Sequence, residues 1–321
     1  MQLRLVRRFG AAAILIVVAL VGCGGEQSAS EREGGNLSVA TGGTGGVYQV
    51  YGGGLADVIS DELDGYQATA ETTSASVDNI KLIAQKDTDV AFTLADTAID
   101  AVEGRESFDE PQPVRALAQI YTNYTQIGTT AGKDISSVED LRGKRVSVGD
   151  PGSGTEVIAL RVLEAAGLDP DKDIDRSQLG VDESVNAVRD GSIDAFFWSG
   201  GLPTGAVTDL ATTDDLVLVP NAEYVPKLQD EYGDAYQEAT IPADSYKGLD
   251  EDVPVIGVPN LLVVHEEMEN DLANDLTALL FAQKKRLTQV HPEAENLDRQ
   301  EAQDVVPPVE LHPGAQSYFE G

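Results

Sequence analysis

The sequence predicts an α/β fold of two lobes arranged as a clamp, with two hinge-crossing segments between them. Short apolar runs alternate with amphipathic stretches of helical spacing, which yields strands and helices in turn. Two glycine-rich loops, at residues 41–48 and 149–155, each follow a strand-like run and open a helix-like one. Two long extended segments, Val114–Thr130 and Val253–His265, are each long enough to pass from one lobe to the other.

The N-terminus reads as an export signal rather than a fold element. Arg4, Arg7 and Arg8 precede an apolar run at residues 11–21, shorter than the ~20 residues of a spanning helix. It ends in Leu20-Val21-Gly22-Cys23, which resembles the lipobox of bacterial lipoproteins. Residues 1–22 are therefore expected to be a signal peptide and Cys23 the site of lipid attachment, the alternative being an uncleaved anchor with a chance cysteine. Cys23 is the only cysteine, so no internal disulfide can form. Residues 23–36 lack an apolar period and are expected to be a flexible tether. About 285 residues remain, more than one typical domain holds.

The elements follow in chain order. Residues 37–40 form a first short apolar strand. Residues 47–63 carry Val47, Val50, Leu55, Val58, Ile59 and Leu63 at mostly helical spacing, and residues 66–71 read as a strand. Residues 76–86 place Val77, Ile80 and Ile83 on one helix face; a buried strand at 89–93 and a helix at 96–103 follow. Three such repeats imply a parallel sheet covered on both faces. Beyond a charged, proline-containing break at residues 104–113 comes the first extended segment. A second unit then reads as a short helix at Val138–Leu141, a strand at 144–148, helices at 154–166 and 182–189, a strand at 193–198, a helix within 202–210 and a strand at 216–219.

In the second extended segment, Pro254 and Pro259 argue against a central strand and suit a crossing back to the first lobe. Residues 271–289 then form an amphipathic helix through Leu272, Leu276, Leu279, Leu280 and Leu287. Lobe I is expected at residues 37–125 and 261–321, and lobe II at 126–260, hinged about a cleft.

Glycine at Gly42, Gly45 and Gly46 lets another group approach the backbone, and a helix N-terminus beyond the loop favours an anion. Alone, this run is either a carboxylate or phosphate cradle or a flexible turn. The second loop repeats the logic with Ser153, Gly154 and Thr155, whose hydroxyls add capping capability. A third helix start, at Ser74, Ser76 and Asn79, brings hydroxyls to a strand–helix junction, although capping alone also explains them. Trp198, Ser199, Gly200 and Gly201 end a strand, where ligands gather in open α/β sheets; Trp198 is equally readable as core.

Composition narrows the partners. Lys+Arg number 22 against 55 Asp+Glu, a net charge of −33, and removing the three signal arginines makes the balance more negative still. Such a surface repels nucleic acid and anionic lipid heads. Enzyme readings fare poorly: His265, His291 and His312 have no metal-ligand spacing, and nucleophile-elbow and phosphate-loop motifs are absent. His265 and Asp96 are the two plausible general bases, each without an evident partner. No cofactor and no metal are expected.

Several motifs together resemble the TAXI-type solute receptors of TRAP transporters. They are residues 41–48, 71–79 (ETTSASVDN), 141–148 leading to PGSGT at 151–155, DGSIDAFF at 190–197, DVPVIGVP at 252–259 and LHPGA at 311–315. The resemblance implies a periplasmic-binding-protein-like (type II) clamp that captures a small organic acid or amino acid, of the glutamate, glutamine or 2-oxoglutarate class. It further implies delivery to an integral-membrane TRAP carrier driven by an ion gradient, without ATP, by a lipid-anchored extracytoplasmic monomer. Carried over, the ligand-binding residues are Thr41, Gly42, Thr44, Gly45, Gly46, Val47, Tyr48, Ser74, Ser76, Asn79, Ser153, Gly154 and Thr155, with Leu94, Tyr121 and Trp198 to Gly201 assigned from position. The chain departs from the family at Ala75 and Ser76, where Gly-Gly is common, and at Thr93-Leu94, where a glutamine-serine pair is more usual. An exported sensor or enzyme on the same clamp is the alternative.

Overall fold

The structure is a computed structural model that describes residues 34–321; the expected signal, Cys23 and nearly all of the expected tether lie outside the described residues. Ten strands form one sheet. The first half of the chain supplies β1 (Asn36–Ala40), α1 (Val47–Glu62), β2 (Gln67–Glu71), α2 (Ser76–Gln85), β3 (Val90–Leu94), α3 (Ala95–Glu103) and the long β4 (Val114–Thr130). There follow β5 (Arg145–Ser147), α4 (Gly154–Ala165), β6 (Asp175–Ser177), α5 (Val181–Arg189), β7 (Ala195–Gly200), α6 (Gly205–Thr213), β8 (Leu216–Leu218), α7 (Val225–Tyr232) and β9 (Gln237–Ile241). The chain closes with β10 (Val253–His265), α8 (Asn270–Ala282), α9 (Lys284–Val290) and α10 (Pro313–Glu320).

The strand order is β2-β1-β3-β10-β4-β7-β5-β6, with β8 on β4 and β9 on β10. Within each half the βαβ units give parallel pairs, β1 with β2 and β3, and β5 with β6 and β7. The sheet is nevertheless mixed, not wholly parallel as the repeat implied. β10 lies antiparallel to β3, and β4 antiparallel to β7. A strand that enters a half by crossing from the other arrives from the opposite end, so it adds antiparallel.

β10 is a central strand, which corrects the expectation drawn from its prolines. It pairs with β4 on one side and with β9 and then β3 on the other. The β9 ladder ends at Gly257 and the β3 ladder begins at Asn260, so Pro259 falls in the gap between them. Pro254 precedes the β4 ladder, which begins at Gly257. Each proline therefore has a strand partner on one side only, where a missing N–H is tolerated.

Three buried clusters fill the layers. On one face of the first half, Tyr51 and Ile59 of α1 and Leu276 of α8 pack on Val39, Phe92 and Leu262. On the other face, Ile80 of α2 and Ile99 of α3 share a core with Ile158 and Val162 of α4 and with Tyr236. Val185, Phe196, Val207 and Val255 make a third cluster in the second half. Each such side chain is worth about 1.5–3 kcal/mol of burial. The predicted helix at residues 271–289 is broken at Gln283 into α8 and α9, while β6, α7, β9 and α10 carry no prior expectation. Among the described residues no helix is long and apolar enough to cross a membrane.

Candidate functional site

Where the parallel strands end, their loops converge on one small cavity of about 40 Å³. Four helix N-termini line it: Gly46 and Val47 of α1, Ala75 and Ser76 of α2, Ser153 and Gly154 of α4, and Gly180 and Val181 of α5. The convergence follows from topology, because each helix starts at the carboxyl end of a parallel strand. Only Ser153 caps its own helix through its side chain, its Oγ accepting from Glu156 N at 3.0 Å. The N-cap residues of α1, α2 and α5 make no side-chain cap hydrogen bond. Their first-turn dipoles add to a positive local potential in the cavity.

The walls of the two halves touch. Val77 N and Asp78 N donate to Gly152 O at 3.1 and 3.3 Å, joining the start of α2 to the loop before α4. A Cβ at Gly154 would lie 2.5 Å from Leu94 Cδ1 and 2.7 Å from Ser76 Oγ, so only glycine permits this approach. Gly45 has φ +81°, and a Cβ there would lie 2.2 Å from Asp182 Oδ1. A Cβ at Gly46 would meet the Trp198 ring at 3.0 Å.

The floor is a hydrogen-bonded chain running through both long strands. The Tyr48 hydroxyl donates to Asn260 Oδ1. Asn260 Nδ2 donates to Asn123 Oδ1 at 2.9 Å, and Asn123 Nδ2 donates to Ser199 O at 3.0 Å. Ser199 N in turn donates to Thr155 Oγ1 at 3.1 Å. Burial pushes the Tyr48 and Tyr121 hydroxyls far above their ordinary pKa, so both remain neutral donors. The Tyr121 hydroxyl is buried without a hydrogen-bond partner, although the residue lines the cavity.

The lining contains no Lys, Arg or His, and Asp150 is its one charged residue. Burial, then the charges of Glu183, Asp78 and Glu156, raise the Asp150 pKa from its usual carboxylate value.

Of the residues named from sequence, Gly42, Gly46, Val47, Tyr48, Ser74, Ser76, Leu94, Tyr121, Ser153, Gly154, Thr155, Trp198, Ser199 and Gly200 line the cavity. Thr41, Thr44, Gly45, Asn79 and Gly201 do not. Thr41 is buried beneath, its Oγ1 donating to Glu71 O at 2.7 Å. Asn79 is a brace: its Nδ2 donates to Thr41 O and Phe92 O, both at 2.7 Å, pinning the ends of β1 and β3. Thr44 is exposed, Gly45 faces Asp182 at the rim, and Gly201 packs against Glu293. Trp198 is half-buried in the wall, donating from Nε1 to Thr204 Oγ1 at 2.8 Å.

Gly43, Ala75, Gly149 and Asp150 also line the cavity; they lie in the loops and junction singled out from sequence but were not named as binding residues, whereas Asn123, Leu179, Gly180 and Val181 were missed altogether. Gly180 was detectable as a glycine N-cap before the acidic first turn Asp182-Glu183. Asn123 lies in mid-strand and carries no local signal.

Neither suggested general base reaches the cavity. His265 Nδ1 accepts from Glu267 N at 3.1 Å, and Asp96 Oδ2 accepts from the Tyr236 hydroxyl at 2.7 Å inside the α3–α4 core.

The chain matches the NMT1-like family over residues 39–321. In overall fold it is similar to PhnD1 of Prochlorococcus marinus in complex with methylphosphonate, at TM-score 0.54 and 12% identity, covering 81% of this chain and 90% of that one. It is also similar to a binding protein component of a phosphonate ABC transporter from Pseudomonas aeruginosa, at TM-score 0.52 and 14% identity, covering 80% and 78%. The periplasmic aliphatic sulphonate binding protein SsuA of Escherichia coli matches at TM-score 0.46 and 13% identity, over 89% and 82%. The fold is thus the mixed α/β architecture of two-lobed periplasmic binding proteins.

Proposed function

The chain belongs to the NMT1-like family, and from that premise we propose that it is an extracytoplasmic solute receptor holding a small carboxylate between two lobes. The carrying observation is the convergence of four helix N-termini, two from each half of the sheet, on one cavity without a cationic side chain. Aligned N–H groups and dipoles serve a carboxylate without an arginine, and they act locally in a chain of net charge −33. The lobes are residues 37–125 with 261–321, and 126–260, hinged where β4 and β10 pass between them. Contacts from both walls are complete only when the cleft is shut, so ligand favours the shut state.

The motif resemblance supports delivery to a TRAP-type carrier driven by an ion gradient, with the chain held at the membrane by lipid on Cys23. The structural relative that is a binding protein component of a phosphonate ABC transporter supports an ABC-type partner as the second reading. Uptake by membrane vesicles given an ion gradient but no ATP separates the two.

Receptor rather than catalyst is the reading that fits a lining with Asp150 as its one charged group and with His265 and Asp96 elsewhere. The test is thermal unfolding against C4 to C6 acids and amino acids, glutamate, glutamine and 2-oxoglutarate among them, with small-angle scattering on any hit. A ligand at 100 times its Kd adds about 2.7 kcal/mol of stability. No shift across the whole set overturns the receptor reading, as does turnover of any member.

A further inference from the structure

Asp150 stands where a purely anionic ligand would have no use for it. Its carboxylate is wedged between the two halves: a Cβ at Gly180 would lie 2.9 Å from Asp150 Oδ2, and a Cβ at Gly43 3.5 Å. Neither a hydrogen bond nor an ion pair satisfies this side chain among the described residues, where its backbone carbonyl alone is engaged, by Ser153 N at 3.0 Å. Half-buried Asp78 and Asp182 nearby are unpaired as well, but neither lines the cavity, and carboxylates shielded elsewhere in the fold have partners. Asp89 takes Ser38 N at 2.8 Å, Asp100 takes Arg161 at 2.5 Å, and Asp194 takes Arg145 at 2.7 Å. A half-buried carboxylate is costly unless paired. Glu183 of α5, Asp78 of α2 and Glu156 of α4 add further negative charge around it.

We propose that Asp150 is a specificity-determining residue that receives a protonated amino group, so that the ligand is a zwitterionic amino acid rather than a keto acid or dicarboxylate. This rests on the carboxylate-receptor reading above. The carboxylate of the ligand takes the helix N-termini while its ammonium takes Asp150. The Tyr121 hydroxyl, buried and unpartnered on the cavity wall, remains as a neutral donor for a third polar group. The surrounding carboxylates strengthen the pull on the cation and penalise a second negative charge. Asp150 thereby sorts two ligands of equal size by the sign of one substituent.

The experiment is calorimetric titration with matched pairs of one carbon skeleton: glutamate and 2-oxoglutarate, alanine and pyruvate, leucine and its 2-keto acid. The wild-type protein should bind one amino acid about 10- to 100-fold more tightly than its keto partner, the worth of a charge-assisted hydrogen bond. Asp150→Asn should collapse that ratio by weakening the amino acid alone, with circular dichroism confirming the fold. In the wild type, amino-acid affinity should fall as pH drops through the Asp150 pKa, because only the ionised form attracts ammonium. A keto acid binding as tightly as its amino partner overturns the assignment and leaves the receptor reading standing. An unchanged ratio in Asp150→Asn, with lost stability, overturns it in favour of a carboxylate that merely faces the start of α5. Failure of every pair to bind overturns the receptor reading and this proposal together.

Discussion

The Tyr48 hydroxyl donates to Asn260 Oδ1, tying the first turn of α1 to the middle of β10. Asn260 is fully buried, and its amide also donates to Asn123 Oδ1 at 2.9 Å and Tyr121 O at 3.2 Å. One side chain thus holds a cavity-lining tyrosine in register with both long strands. Asn260→Leu should leave the Tyr48 hydroxyl and the Asn123 carbonyl unpaired, at about 1–3 kcal/mol for each buried orphan. Tyr48→Phe removes the donor and leaves one acceptor, so its loss should be smaller. Urea unfolding of both variants checks the order, and equal stability of Asn260→Leu and wild type would contradict it.

Gly154 opens α4 directly against Leu94 and Ser76 of the opposite wall, with no room for a methyl group. Gly154→Ala should hold the cleft ajar without unfolding either half, since α4 itself tolerates alanine well. The expected outcome is a ligand affinity lowered by at least about tenfold, or about 1.4 kcal/mol, together with a larger radius of gyration in the presence of ligand. Gly45→Val should act likewise from the other side, with backbone strain at φ +81° added to contact with Asp182. A variant with wild-type affinity would mean that closure does not bring these walls together in solution.

Much of this cleft was legible from local signals. Glycine and hydroxyl residues at strand–helix junctions mark helix starts, and helix starts after parallel strands meet at one edge, so Gly46, Ser76, Ser153 and Gly154 could be named together. Tertiary features were less visible. Asn79 looks like a hydroxyl-loop neighbour in sequence, but one helical turn rotates it inward onto Thr41 O and Phe92 O. Pro254 and Pro259 suggested an irregular crossing because a ladder gap at residues 258–259 cannot be read from a strand without its partners. Asn123 was missed because its place in the floor depends on β10 and β7, which lie far away in the chain.

Cys23 makes a prediction at the level of the whole protein. If it carries lipid, full-length protein expressed in a bacterial host should partition into detergent and show a mass above that of the cleaved polypeptide. Cys23→Ser should be released in soluble form or retain its leader. Detergent partition unchanged by Cys23→Ser, with the leader removed from both proteins, would exclude lipid at this residue as the anchor.

Arg161 of α4 is buried with two carboxylates of α3, at 2.5 Å from Asp100 and 3.7 Å from Asp96, and donates to the Tyr236 hydroxyl at 2.8 Å. Its guanidinium also lies 4.0 Å from the centre of the Tyr232 ring. Desolvation outweighs these attractions at Asp100, raising its pKa to about 6. Arg161→Met should leave Asp96 without an ion pair and Asp100 with Arg105 alone, at 2.9 Å, and cost about 3–5 kcal/mol. Adding Asp100→Asn should recover part of that loss, because one buried carboxylate fewer is left under-compensated. Chemical denaturation of the single and double variants at neutral pH measures both terms, and a double variant less stable than Arg161→Met would refute the account.

Ala75 is the N-cap of α2 and sits on the cavity wall at φ 84° and ψ −138°, a backbone region favoured by glycine. Its strain of about 1–3 kcal/mol exceeds the roughly 0.5–1 kcal/mol that glycine costs through chain entropy. Ala75→Gly should therefore stabilise the fold by about 1 kcal/mol, read as a higher Tm. The same change removes a methyl group from the wall beside Ser76, so it should widen the cavity and relax selection against bulkier ligands. A lower Tm for Ala75→Gly would show that the methyl contributes packing greater than the strain it imposes.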